Sequence, residues 1–138
     1  VATYTKFNSF VEACTEKVHD LGSDTLKVML CNTAPVATNT VKADLTEISA
    51  GNGYTAGGTA ASTTSSAQSS GTYKLVLADV VFTATGAIGP FRYAVLYNDT
   101  ATNKELIGFW DYGSSISLAN GGAFTVDFDP STGVLTLA

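Results

Sequence analysis

Charge is the scarcest thing in this sequence. Only 14% of its 138 residues are Asp, Glu, Lys or Arg, against about a quarter in an average soluble domain. Seven basic residues stand against twelve acidic ones, a net charge of −5. Nucleic-acid affinity rests on the opposite balance, Lys and Arg neutralising phosphates, so the composition argues against such a surface. There is one histidine, His19, and there are two cysteines, Cys14 and Cys31. Two cysteines are too few for a disulfide framework and, with a single histidine, too few for a zinc site. They read either as buried free thiols or as one bridge, within a chain or between chains. No run of about 18 apolar residues is present, which excludes a membrane-spanning helix. Val1–Lys6 lacks the basic start and apolar stretch of a secretory signal. Loss of an initiator Met before the small Val1 is the expected origin of this terminus, and a reducing compartment the expected setting.

What fills the chain instead is small and neutral: 20 Thr, 12 Ser, 18 Ala and 13 Gly. A chain of this length makes one domain, residues 1–138, and buries about two-thirds of its unfolded surface without staples. Near the N-terminus, Ser9 and Glu12 have the spacing of a capping box. Phe7, Phe10, Val11, Cys14, Val18 and Leu21 recur at three- and four-residue intervals as one apolar stripe. Gly22 supplies a left-handed stop. The pattern predicts a helix over about 9–21 behind an N-terminal arm, 1–6.

Beyond Gly22 the chain reads as strand and turn. Thr25–Cys31 alternates, with Leu26, Val28 and Leu30 on one face. Tyr73–Ala84 and Phe91–Tyr97 are apolar on both faces, the mark of a central strand or of a sheet whose second face meets another subunit. Gly86–Pro90 is expected as a turn, and Glu105–Tyr112 as a strand. Asn120-Gly121-Gly122 predicts a hairpin joining Ser114–Ala119 to Ala123–Asp129, and Val134–Leu137 closes the sheet. Short strands at regular spacing predict a mainly β protein: an antiparallel β-sandwich or jelly-roll-like body with one N-terminal α-helix.

Asp44–Ser49 fits a short helix or a strand. Gly51–Gly58 has four glycines in eight positions, too much backbone entropy for a regular element. From Thr59 to Thr72, nine of fourteen residues are Ser or Thr and none is charged. Such a stretch is either a flexible surface loop or an extended arm that orders on a neighbouring subunit, because it lacks the charges that block edge pairing. The segment at about 50–72 is therefore expected to be flexible or contact-forming.

Candidate chemistry is thin. His19 near the end of the expected helix favours the helix dipole more readily than a catalytic triad, and no Gly-x-Ser-x-Gly elbow presents a nucleophile. Asp127 and Asp129, with Asp99 and Asp111, offer oxygen ligands for Ca²⁺ or an acid-base pair, but in no calcium-loop spacing. Outward solvation of a terminal hairpin explains them as well. Gly51–Gly58 lacks the Lys-Ser/Thr end of a phosphate loop. Tyr93, Tyr97, Trp110 and Tyr112 fit a sugar platform, a core or a protein interface. No catalytic, cofactor or metal residues are expected, and no enzyme.

A resemblance emerges in the second half of the chain. Ile88-Gly-Pro-Phe-Arg-Tyr-Ala-Val-Leu-Tyr-Asn-Asp-Thr100, Leu106-Ile-Gly-Phe-Trp-Asp-Tyr-Gly113 and Phe124-Thr-Val-Asp-Phe-Asp129 through Gly133-Val-Leu-Thr-Leu137 resemble small virion structural proteins of tailed bacteriophages. Lys6-Phe-Asn-Ser-Phe-Val-Glu12 and Ser23-Asp-Thr-Leu-Lys-Val28 fit the same type, with Gly51–Thr72 the least similar region. The resemblance implies a capsid decoration (cement) protein, made in the bacterial cytoplasm and placed on the outer surface of the capsid. Its implied partners are the major capsid protein and copies of itself, as a trimer, through the 1–6 arm and the 50–72 segment, with neither nucleic acid nor membrane. The alternative is a tail or fibre component with a carbohydrate- or receptor-binding role.

Overall fold

Strands dominate the chain, and every strand pairing among the described residues is antiparallel. The computed structural model describes residues 2–138. In chain order the elements are β1 (Thr3–Lys6), α1 (Phe10–Thr15), β2 (Leu26–Cys31), a 3-10 turn (Lys42–Asp44), β3 (Thr59–Ala61), β4 (Thr63–Ser69), β5 (Thr72–Leu77), β6 (Val80–Thr83), β7 (Ile88–Asn98), β8 (Leu106–Leu118), β9 (Ala123–Val126) and β10 (Leu135–Leu137). They form a five-stranded sheet in the order β1-β8-β7-β2-β3, a three-stranded sheet β10-β5-β4 and a two-stranded sheet β6-β9. The fold class is the expected one, a mainly β, sandwich-type body with one short N-terminal helix.

Period-two alternation gives the large sheet two apolar faces. Leu26, Val28, Leu30, Ala94, Leu96 and Ile107 enter the main core with Leu75, Leu77, Val80, Phe82, Val126 and Phe128 from the two smaller sheets. Their neighbours Met29, Cys31, Tyr93, Val95, Tyr97, Leu106 and Phe109 form a second core with Phe7, against which Leu45 packs. Both apolar faces of Phe91–Tyr97 are thus covered by the chain itself, as in a central strand. Each large side chain buried this way contributes about 1.5–3 kcal/mol.

The helix is shorter than its apolar stripe. It ends at Thr15 rather than near Leu21, and Ser9 makes no side-chain cap. Lys17 takes a left-handed φ of 64°, and the Val18 amide donates back to the Ala13 carbonyl at 2.9 Å, closing the helix before Gly22 is reached. One and a half turns have little stability of their own. Burial of Phe10, His19 and Leu21 decides where the chain turns. The N-terminal arm is a strand from Thr3, paired from Thr3↔Asp111 to Lys6↔Gly108; Val1 lies outside the described residues.

Three further expectations are corrected. Tyr73–Ala84 breaks at Ala78-Asp79 into β5 and β6, which belong to different sheets, and Asp79 holds the corner by accepting the Phe128 amide at 2.9 Å. Gly89-Pro90 lies inside β7, where the register with β8 shifts between Ile88 and Phe91, a place that tolerates a missing donor. The turn at 119–122 forms, with the Gly122 amide donating to Ala119 at 2.9 Å. The strand beyond it pairs with β6, from Val80↔Val126 to Thr83↔Ala123, not back on β8.

Within the 50–72 segment, residues 59–61 and 63–69 are strand. Its Thr- and Ser-rich part forms β3 on β2 and β4 on β5, so its strand partners lie in the same chain.

Candidate functional site

His19 sits beyond the helix, 8% exposed, with its ring 5.4 Å from that of Phe10. It neither caps the helix nor lies on the surface. The Asn98 side-chain amide donates to His19 Nδ1 at 3.0 Å and to Asp24 Oδ2 at 2.6 Å, which places the ring proton on Nε2. Asn98 Oδ1 accepts the amides of Thr100 and Ala101 at 3.0 and 3.1 Å and pins the loop after β7. Burial holds the His19 pKa below its ordinary value, partly offset by the carboxylates of Glu105 and Asp24. Burial of the ring and the Asn98 amide donating to Nδ1 both favour the neutral form. His19 Nε2 and Glu105 Oε2 are buried without a hydrogen-bond partner.

A cleft of about 670 Å³ runs between the end of the helix with the segment that follows it and the three-stranded sheet, lined by Cys14, His19, Asp20, Ser66, Tyr73 and Leu137 among others. Burial pushes the Cys14 thiol pKa up, the opposite of what an activated nucleophile needs. Nδ1 of His19 is already occupied by Asn98. Cys14 and Cys31 are both free thiols.

The four candidate carboxylates are scattered. Asp99 pairs with Lys27 at 3.0 Å and Lys104 at 3.1 Å, and Asp111 forms a two-pronged pair with Arg92 at 2.7 and 3.1 Å. Asp129 accepts the Ser131 hydroxyl at 2.6 Å, and Asp127 is exposed on its own. Among the described residues no three His, Cys, Asp or Glu gather where they could hold a metal ion. Nor is any helix long and apolar enough to cross a membrane.

The aromatic candidates pack inward. Tyr93 and Tyr97 belong to the second core. Trp110 lies 5.0 Å from Tyr4 and 5.5 Å from Phe128, and Tyr112 lies 5.0 Å from Phe124. They form no exposed stacking platform.

A residue with no recognisable motif organises the glycine-rich loop. Glu47 accepts the Tyr54 hydroxyl and the Gly57 amide, each at 2.6 Å, and Lys42 Nζ at 3.2 Å. Tyr97 closes the arrangement by donating its hydroxyl to the Gly57 carbonyl at 2.6 Å. These hydrogen bonds tie the loop to Glu47 and Tyr97. At the border of a neutral stretch, Glu47 gives no sequence signal beyond being the last charge before Lys74.

That neutral stretch is the most distinctive surface feature. No charged residue occurs from Ile48 to Tyr73, and in β4 every residue but Ser66 is exposed. Ser66 instead shares a 2.8 Å hydrogen bond with the Tyr73 hydroxyl. No protein family, curated protein or solved structure matches this chain.

Proposed function

We propose that the chain is a non-enzymatic structural protein of a tailed-bacteriophage virion. In this reading it is a capsid decoration protein on the outer surface of the head, held by contacts with the major capsid protein and with copies of itself. The observation that supports this best is the exposed, charge-free strand layer over 59–69, built into the body by pairing with β2 and β5. A neutral surface is cheaper to cover than a charged one, whose ions must be stripped of water. Modest contacts repeated over a lattice add up once subunits are linked. The −5 net charge suits the outside of a shell packed with polyanion, and free thiols at Cys14 and Cys31 suit synthesis in a bacterial cytoplasm.

The test is the composition of purified particles. Gradient-purified virions from cells expressing this chain are expected to retain it on their heads, at a copy number comparable with the major capsid protein. Its absence from particles overturns the reading, and label confined to tails transfers it to a tail or fibre role.

A further inference from the structure

We propose that β4 is a self-association strand whose free edge pairs antiparallel with the β4 edge of a second copy of this chain. The two three-stranded sheets then become one of six strands, in the order β10-β5-β4-β4-β5-β10.

The argument begins with the open edges. The sheet order leaves β1, β3, β10, β4, β6 and β9 each with one unpaired side. Folded proteins blunt such edges by making them short, charging them or placing proline on them, because unpaired amides and carbonyls are a template for another strand. Five of the six are only three or four residues long, and β1 also ends in Lys6. By contrast, β4 has seven residues, neither charge nor proline, and six exposed positions. Its one irregularity lies at its start, between Thr63 and Ser65, which leaves Ser65–Ser69 in regular register on β5. Beyond that irregularity, Ser65–Ser69 carries none of the usual protections.

Charge selects the occupant. Each copy carries −5, and two copies repel unless they meet where there is no charge; residues 48–73 are that place. An antiparallel pair of identical strands centred on Ala67 sets Ser65 opposite Ser69, Ser66 opposite Gln68 and Ala67 opposite Ala67. Every cross-strand pair is small or neutral, and none juxtaposes like charges. A charged partner strand finds no counter-ion along this edge. Identical edges meeting across a two-fold axis use each other up, so the unit is a dimer, in place of the trimer expected from the sequence. This deepens the self-contact part of the virion reading and does not depend on its capsid part.

Sedimentation velocity on the purified full-length chain tests the pairing. A concentration-dependent dimer is expected. Ala67→Lys, which sets two like charges face to face across the two-fold axis, is expected to weaken it at least tenfold. Read at a concentration where both proteins are monomeric, the thermal midpoint is expected to fall by only a few degrees, since Ala67 is exposed and its partner on β5 is Lys74. In a Cys14→Ser background, Ala67→Cys is expected to form an intermolecular disulfide on mild oxidation, and Thr125→Cys on β9 is not. A monomer or a trimer overturns the proposal, as does a dimer indifferent to Ala67→Lys or a dimer that Ala67→Cys fails to cross-link. A dimer absent from virions overturns the virion reading and leaves the pairing standing; a virion-bound monomer does the reverse.

Discussion

The hydroxyl of Tyr54, on a side chain only 2% exposed, donates to Glu47 Oε1 at 2.6 Å and accepts the Leu30 amide at 3.0 Å. Strand β3 pairs with β2 only from Leu26 to Val28, so at Leu30 the tyrosine hydroxyl takes the amide while the Ile48 amide donates to the carbonyl at 3.1 Å. Burial and the neighbouring Glu47 carboxylate hold its pKa well above the ordinary tyrosine range, and it remains a donor throughout the working pH range.

Tyr54→Phe is therefore expected to destabilise the fold by about 1–3 kcal/mol, because it strands a buried amide and strips a donor from a carboxylate. Urea unfolding of the two proteins measures the difference. A change within about 0.5 kcal/mol shows that the bond contributes nothing net.

The buried imidazole gives the fold a pH dependence of defined sign. Because the folded pKa of His19 is lowered by burial, its contribution is fully present above the unfolded value of about 6.5. It is lost as the pH falls through the folded value, since the unfolded chain then binds the extra proton. Stability is expected to decline as the pH is lowered from 7 towards 5. His19→Gln, which keeps an acceptor for Asn98, is expected to flatten that slope. Denaturation curves across this range decide it, and equal slopes exclude His19 as the source.

Close approach at one glycine gives the sharpest steric prediction. Gly58 has φ +80°, and a Cβ there falls 1.9 Å from the Val28 carbonyl oxygen, inside the β2–β3 pairing. Gly58→Ala is expected to cost more than about 3 kcal/mol, combining left-handed strain with a backbone clash. Gly113 has a similar φ of +84° with nothing within 4 Å of its would-be Cβ, and Gly113→Ala is expected to cost about 1 kcal/mol. Thermal unfolding of the pair separates strain from contact.

The two thiols differ in access. Cys31 is fully buried, and its pKa is pushed to about 12, mainly by burial, whereas Cys14 is half-exposed beside the cleft. Maleimide is expected to label Cys14 alone in the native protein and both residues in denaturant, as read by peptide mass spectrometry. Native labelling of Cys31 contradicts the second core as described.

What was legible in the sequence was whatever depends on near neighbours. Period-two alternation placed β2 with Leu26, Val28 and Leu30 on one face. The neutral composition of 59–72 and the turn at 119–122 were visible for the same reason. Partnership was not legible. The strand after the 119–122 turn pairs with β6, some forty residues earlier, and β5 and β6 part company at Asp79 to join different sheets. His19 misled because a terminal helix position and a buried ring packed on Phe10 look alike until Asn98, distant in sequence, is brought to it. Glu47 gave no signal because its partners Tyr54 and Gly57 matter only once the loop has closed on it.

By itself, then, the sequence determined a charge-poor antiparallel β protein with a short N-terminal helix and a long neutral stretch, because alternation, turn chemistry and composition are local. The tertiary structure decided what covers what. The two-faced apolar strand Phe91–Tyr97 pointed equally to a central strand and to a subunit interface, and both of its faces are buried within the chain. The surface left open lies instead at the neutral edge of β4. Which groups remain unpaired depends on where the other strands of the sheet end, and no local pattern carries that information.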